Sequence, residues 1–126
     1  MRLIRTIISA DDTRIHCLAK DHTKLDYPLR LDGVLYAATL AELGAQAAAA
    51  HASLFEMRGA HTGLLVALQD VEFPTQEVGN EHCRLDVFAE QLQFSGNSAI
   101  YRFRVSSGSA DLLNGRATLT MKRETK

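Results

Sequence analysis

Apolar and polar residues alternate along most of the second half of the chain. In segment 99–105 small and aromatic residues alternate with two arginines, and segment 116–122 repeats the pattern with Arg, Thr and Lys at its polar positions. Successive side chains of a β-strand point to opposite faces, so these segments predict strands with one apolar and one hydrated face. Turn-forming residues divide the second half into four predicted strands: Gly63–Phe73, Cys83–Gln93, Ser98–Ser106 and Leu112–Lys122.

Two shorter β-compatible runs open the chain, at Leu3–Ser9 and Arg14–Lys20. The residues between them include two aspartates, which suit a tight turn, and the two runs therefore predict a hairpin. An irregular stretch follows from His22 to Asp32 and contains Pro28. It ends at Gly33, just before a long apolar segment.

That apolar segment has the period of a helix. Apolar residues recur at steps of three and four, and alanines occupy the opposite side, which predicts a helix surrounded by protein from about Leu35 to Met57, ending near Arg58 and Gly59. The residues of the main stripe are Leu40, Leu43, Ala47, Ala50, Leu54 and Met57. The element order β-β-α-β-β-β-β predicts an α+β fold, with a mostly antiparallel sheet covering one long helix in a single domain, 1–126.

Glu42 is the only formally charged residue among the 23 residues from Gly33 to Phe55. A carboxylate in apolar surroundings is costly unless it is paired, hydrogen-bonded or neutralised, and such groups are often kept for chemistry. Gln46 lies one helical turn further on, so the carboxylate and the amide are expected to face the same space. A purely structural role, in which Glu42 pairs with a local donor, is the alternative.

The bulk properties exclude several functions. A net charge of −1 and an isoelectric point near 6.5 favour neither nucleic acid nor an anionic membrane as a partner. The polar residues within the apolar run argue against a membrane span, and the first residues lack a signal-peptide pattern, so we expect a cytoplasmic protein. Cys17 and Cys83 are too few for a disulfide framework. Phosphate-binding glycine loops, nucleophile elbows and zinc-protease motifs are absent from the sequence, which excludes several large enzyme classes.

Several segments resemble the hotdog-fold 3-hydroxyacyl-ACP dehydratases, in which an antiparallel sheet wraps around one long central helix. Their Glu-x-x-x-Gln helix pattern matches Glu42–Gln46. A closer resemblance is to small bacterial hotdog proteins described as predicted 3-hydroxyacyl-ACP dehydratases of polyketide-like and aryl polyene pathways. The segments similar to theirs are Ala45–His51, Gly63–Leu65, Tyr101–Ser106 and Gly115–Ala117.

The resemblance implies a two-subunit site. In such dehydratases a loop histidine removes the α-proton of the acyl thioester, while a helix carboxylate of the other subunit helps the hydroxyl leave. Here the carboxylate corresponds to Glu42, whose burial is expected to raise its pKa. The loop base corresponds to Tyr27, a poor base at its ordinary pKa. His22, five residues earlier, is a substitute only if the loop bends back.

The resemblance also suggests which groups bind the acyl substrate. Backbone N–H groups of Gly33, Val34 and Leu35, at the expected helix start, are candidates to hold the thioester oxygen. Gln46 is expected to orient Glu42 or to contact substrate. Gly63 and Leu64, at the start of a strand, complete the expected substrate-binding set.

Three functions remain open at this point. The first is a dehydratase acting on a 3-hydroxyacyl chain carried by acyl carrier protein or coenzyme A, in fatty-acid or polyketide and aryl-polyene-type synthesis. Such an enzyme is expected to need no metal and no redox cofactor. The second is a hotdog thioesterase that uses Glu42 to activate water. The third is a non-catalytic subunit that binds an acyl chain or completes a heterodimer with a paralogue. The resemblance implies a homodimer through the strand Gly63–Phe73, or a higher oligomer.

Overall fold

Six strands and one interrupted helix make up the fold. The computed structural model describes residues 2–56, 63–82 and 84–122. The strands are β1 (Ile4–Ala10), β2 (Arg14–Ala19), β3 (Gly63–Glu72), β4 (Asp86–Ser95), β5 (Ser98–Ser107) and β6 (Ala110–Lys122). The helix α1 (Ala41–His51) follows a 3-10 turn (Ala37–Leu40) and continues into a π-helical turn (Ala52–Glu56).

All six strands form one antiparallel sheet in the order β1-β2-β4-β5-β6-β3. The predicted hairpin and the four predicted strands are confirmed, with ends displaced by three residues or fewer. β1 and β3 are the two edges of the sheet, so each has one side without a partner strand in the described chain. A single helix against this sheet is the α+β hotdog architecture that the sequence predicts.

The two faces of the sheet divide as the alternation predicts. The inner side chains of β5, namely those of Ala99, Tyr101, Phe103 and Val105, are almost fully buried. Arg102 and Arg104 lie between them and are exposed on the outer face. The helix packs on the inner face, so the core lies between α1 and the sheet.

The helix begins later than predicted. Leu35 is not helical because segment 35–37 pairs in extended form with segment 76–78: the Leu35 carbonyl accepts the Val78 N–H, and the Ala37 N–H donates to the Gln76 carbonyl, both at 2.8 Å. Helical structure therefore starts at Ala37, and α-helical structure at Ala41. The predicted end, near Met57 to Gly59, lies outside the described residues.

Most of the helix surface is covered by protein. Leu40, Leu43 and Ala47 of the predicted stripe are fully buried, but Leu54 is 43% exposed, which contradicts its predicted core position. The helix lies very close to the sheet at Gly44, where an added Cβ would come within 2.1 Å of the Phe103 ring. The row formed by Glu42, Gln46, Ala49 and Ser53 is covered only in part, with Glu42 and Ser53 exposed and Gln46 and Ala49 half-buried.

Candidate functional site

Glu42 lies in the first turn of α1, beside a small hollow at the edge of the sheet. The hollow has a volume of about 270 Å³. Its lining residues are Glu42, Ala45, Gln46 and Ala49 of α1 and Val66 and Leu68 of β3. The methyl groups of the two alanines leave space between helix and strand, so a carboxylate and an amide face an otherwise apolar surface.

Gln46 connects Glu42 to the start of the chain. The backbone N–H of Leu3 donates to Gln46 Oε1 at 2.8 Å, which fixes the orientation of the amide. Gln46 Nε2 then faces Glu42 and donates to its Oε1 at 3.4 Å. The expectation that these two side chains share one space is confirmed, and the amide restricts the rotation of the carboxyl group.

Glu42 itself is exposed, which corrects the expectation of a buried acid. The row that carries it points to the side where β3 ends the sheet, so no further strand covers it in the described chain. The edge strand is itself apolar and open, since Leu65 is 63% exposed, Val66 41% and Leu68 42%. Burial of Glu42 therefore requires something beyond the described residues.

Tyr27 lies in the loop before the helix and points into the core. Its side chain is only 6% exposed, and burial raises the pKa of its phenol above the ordinary value. The hydroxyl has no hydrogen-bond partner among the described residues. Tyr27 is not among the residues that line the hollow beside Glu42, so a single chain does not bring these two candidates together there.

His22 is fully buried in the same loop. Its Nε2 is hydrogen-bonded to the carbonyl of His82, while its Nδ1 has no partner among the described residues. The rings of His22 and Tyr27 meet edge to face, with centroids 6.2 Å apart. The loop therefore does bring these two predicted residues together, away from the hollow.

Arg30 holds this loop in place. Its Nε donates to the carbonyl of His22, its Nη1 to the carbonyl of Gly33 and its Nη2 to Asn80 Oδ1, at 2.8, 2.8 and 2.9 Å. One planar guanidinium thus joins three points of backbone and side chain, a role that a lysine cannot reproduce. No role was assigned to Arg30 from the sequence alone.

The backbone around Gly33 differs from the expected oxyanion site. Leu31 and Val34 exchange two backbone hydrogen bonds, at 2.9 and 3.0 Å, across a tight turn. Asp32 and Gly33 have φ angles of 53° and 78° in this turn. The Val34 N–H is therefore already bonded to Leu31, and segment 33–35 precedes the first helical turn. A helix-dipole argument for Gly33, Val34 and Leu35 is wrong for this structure.

The strand β3 contributes to the hollow further along than expected. Gly63 and Leu64 pair with Lys122 and Met121 at the start of the strand, whereas the lining residues are Val66 and Leu68. The amino-acid sequence predicted this strand from its β-compatible residues and their turn-forming neighbours. It did not indicate which residues of the strand lie opposite Glu42, because the position of a strand relative to a distant helix is not encoded in a local pattern.

Metal sites, membrane-spanning helices and reactive thiols are the other features considered in the described parts of the chain. Groups of three or more His, Cys, Asp or Glu side chains suited to a metal ion are not found there. The described helices include none that is long and apolar enough to cross a membrane. Cys17 is a buried free thiol whose pKa burial raises to about 11, and Cys83 lies outside the described residues.

A larger hollow of about 680 Å³ lies on the outer face of the sheet. Its charged groups neutralise one another, because Glu90 accepts hydrogen bonds from both Arg14 and Arg102, while Arg104 stacks on Phe88. This arrangement stabilises the outer surface, and the two carboxylates that line the hollow, Asp11 and Glu90, both accept hydrogen bonds.

A family model decides the relationship of the chain. The model of the ApeP-like family, described as ApeP dehydratase, matches residues 1–126. The chain belongs to the ApeP-like dehydratase family. The resemblance to hotdog-fold dehydratases noted in the sequence is thereby confirmed, whereas none of the curated proteins matches the sequence.

Solved structures share the fold of this ApeP-like chain at low sequence identity. A chain of the dehydratase heterocomplex ApeI:P from Xenorhabdus doucetiae is 17% identical, with a TM-score of 0.76, over 98% of this chain and 84% of that one. A thioesterase family protein from Silicibacter pomeroyi is 16% identical, with a TM-score of 0.70 and coverages of 94% and 85%. A hypothetical thioesterase from Streptococcus pneumoniae, solved with coenzyme A, is 10% identical, with a TM-score of 0.65 and coverages of 96% and 88%.

These comparisons define the class of function. Family membership supports a function of the dehydratase type for the ApeP-like chain. The structural neighbours establish the hotdog fold at these identities and leave the substrate to be argued from the site.

Proposed function

We propose that this ApeP-like protein is a 3-hydroxyacyl-thioester dehydratase that uses Glu42 to protonate the leaving hydroxyl, within a single hotdog domain. The observation that carries the proposal is the carboxyl group of Glu42 beside an apolar hollow, oriented by the Gln46 amide. Carboxyl groups act as general acids where apolar surroundings favour the protonated form. The hollow provides such surroundings once a second subunit covers it.

A homodimer through β3 supplies that cover. Edge-to-edge pairing of two β3 strands uses their free backbone groups and buries the exposed Leu65, Val66 and Leu68. The same pairing encloses the hollow beside Glu42. An acyl chain delivered by acyl carrier protein or coenzyme A then lies between the alanines of α1 and the β3 side chains.

The loop contributes a proton donor rather than a base. Because burial raises the pKa of Tyr27, its phenol stays neutral at physiological pH and is available to donate a hydrogen bond to substrate. It is unsuited to removing the α-proton of an acyl thioester. His22 is fully buried beside it, so the base of a freely acting enzyme requires the loop to present His22 to substrate.

Tyr27 favours a second candidate function, in which the chain completes a heterodimer with a paralogue that carries the loop histidine. A neutral tyrosine at the position of the family base leaves the chain able to bind and protonate but unable to start the reaction alone. One structural neighbour is part of a dehydratase heterocomplex, which is consistent with such an assembly.

The Tyr27→His variant separates the two candidates. Conversion of 3-hydroxyacyl-ACP is followed by the ultraviolet absorbance of the 2-enoyl thioester. If the protein is a freely acting dehydratase, the wild-type protein alone converts the substrate. If it is a heterodimer subunit, the wild-type protein alone is inactive and only the Tyr27→His variant gains activity. In either case Glu42→Gln added to the active form is expected to lower kcat by roughly 10²- to 10⁴-fold. Glu77→Gln, an exposed acid outside the hollow, is the matched control.

A further inference from the structure

The described residues include two tyrosine–histidine pairs in which the two rings meet edge to face. In the first, His51 Nε2 faces the carbonyl of Asp11 at 2.8 Å, and because a carbonyl only accepts, this nitrogen carries the proton. His51 Nδ1 therefore accepts the hydroxyl proton of Tyr101, at 2.6 Å. The two rings meet edge to face with centroids 5.4 Å apart and planes at 73°. This closed pair uses both nitrogens of a fully buried imidazole.

The second pair, His22 and Tyr27, has the same kind of histidine-to-carbonyl hydrogen bond but lacks a bond between the two side chains. His22 Nε2 faces a backbone carbonyl, that of His82, and so carries the proton. The rings again meet edge to face, at 67°, but the centroids are 6.2 Å apart against 5.4 Å in the closed pair. This open pair leaves Tyr27 Oη and His22 Nδ1 without partners among the described residues.

The two atoms of the open pair are complementary. The tautomer fixed by the His82 carbonyl makes His22 Nδ1 an acceptor with a free lone pair, while the neutral phenol of Tyr27 is a donor. Both side chains are more than nine-tenths buried, at 0% and 6% exposure. A buried polar atom without a hydrogen-bond partner is destabilising, and here two such atoms belong to rings in contact with each other, so one partner common to both would satisfy them.

We propose that the open pair His22–Tyr27 holds one hydroxyl group between its rings. An oxygen placed there must accept from Tyr27 and donate to His22. A hydroxyl does both through a single atom, whereas a carbonyl or a carboxylate only accepts. The hydroxyl belongs to a water molecule in the free protein, or to the 3-hydroxyl of an acyl thioester bound where the loop of one subunit meets the hollow of the other, since a single chain does not bring the two together. Only the second source rests on the proposed function.

Nitrogen-15 NMR of the protein labelled at histidine tests the pair directly in the free protein. We expect His22 Nδ1 to resonate, like His51 Nδ1, at the position of a hydrogen-bonded unprotonated nitrogen. Tyr27→Phe is expected to shift the His22 signal towards that of a free imine nitrogen and to leave His51 unchanged. Tyr101→Phe is the matched control and shifts His51 alone. A His22 Nδ1 signal already at the free position, and unmoved by Tyr27→Phe, would overturn the proposal.

A reciprocal measurement covers the case in which Tyr27→Phe does not fold. The chain contains three tyrosines, so ring-carbon-labelled tyrosine gives a spectrum that is readily assigned. His22→Gln, which keeps a carbonyl acceptor in reach, is expected to change the Tyr27 Cζ shift less than His22→Leu does. Equal spectra for the two variants contradict the shared hydroxyl.

Ligand addition separates the two sources of the hydroxyl. A 3-hydroxyacyl pantetheine amide, which cannot be hydrolysed as a thioester, is compared with the saturated acyl amide of the same length. A change at His22 Nδ1 with the 3-hydroxy ligand alone assigns the hydroxyl to substrate. No change with either ligand, together with the Tyr27→Phe shift, assigns it to water. The shift in the free protein is independent of turnover, so an inactive protein leaves this test intact.

Discussion

Gln46 stands between Leu3 and Glu42, accepting a backbone N–H from the first at 2.8 Å and donating its amide to the second at 3.4 Å. The first bond fixes which end of the amide faces the carboxyl group. A residue at the start of the chain therefore determines the orientation of the side chain to which we assign the chemistry. Gln46 is a positioning residue in this account.

Two substitutions at Gln46 separate its two bonds. Gln46→Glu keeps an oxygen for Leu3 but removes the donor to Glu42, and Gln46→Met removes both. We expect both to lower kcat on the order of 10- to 100-fold through misplacement of Glu42. Only Gln46→Met is expected to lose the Leu3 bond, worth about 1 kcal/mol of unfolding free energy. Steady-state kinetics and urea unfolding measure the two effects, and unchanged kcat in both variants contradicts the role.

Gly44→Ala is expected to destabilise the fold although alanine favours helices. The added methyl group meets the buried Phe103 ring within 2.1 Å, and overpacking of this kind costs about 1–3 kcal/mol. The helical preference for alanine returns only about 1 kcal/mol. Phe103→Leu in the Gly44→Ala background makes room, so the two changes together should cost less than their sum. Additive losses in urea unfolding would show that the helix does not rest on this ring.

Asp86 is expected to make the free energy of unfolding depend on pH in the acidic range. Hydrogen bonds from Arg84 and from His16 Nε2, with the Arg84 bond the larger cause, hold the pKa of Asp86 below its ordinary value. A carboxyl group with a lowered pKa in the folded state stabilises the protein above about pH 4 and loses that contribution as pH falls through the folded pKa.

Asp86→Asn tests this dependence. At pH 7 the free energy of unfolding of the variant is expected to be about 1 kcal/mol lower than that of the wild type. The difference should disappear once both proteins carry a neutral side chain in strongly acidic solution. Asp12→Asn, in the exposed turn between β1 and β2, is the control. A difference that persists unchanged to the lowest pH at which the protein folds argues against the ion pair as the cause.

The two edges of the sheet allow a matched test of assembly. Val66 on β3 and Ile8 on β1 are similarly exposed, at 41% and 44%. If β3 pairs across the dimer axis, Val66→Lys buries a charge at the interface and should yield monomers in light scattering coupled to size exclusion. Ile8→Lys should leave the mass unchanged. Dissociation by Ile8→Lys alone would place the interface on the opposite edge.

The sequence predicted the architecture well because its signals are local. Alternation in segment 99–105 identified the buried face of β5, and the three- and four-residue steps identified the helix that packs on it. The pairing of segment 35–37 with segment 76–78 was not predictable in this way. It depends on two loops distant in sequence, and it delayed the helix start to Ala37.

The site was predicted only in part, for a related reason. Spacing along one helix placed Gln46 beside Glu42, since one turn brings the two together. Exposure of Glu42 follows instead from β3 being the edge of the sheet, which is a property of strand order. The open pair His22–Tyr27 depends on a tautomer set by the His82 carbonyl, a contact between residues sixty positions apart.

Intact-mass analysis of the acyl carrier tests the central claim most directly. 3-Hydroxyacyl-ACP is incubated with the wild-type protein, with Tyr27→His, and with each of these carrying Glu42→Gln. We predict loss of one water from the acyl-ACP in at least one of the first two reactions, and its suppression by Glu42→Gln. Release of the whole acyl group would show a thioesterase. Dehydration that survives Glu42→Gln at full rate would contradict the assignment of Glu42 as the acid.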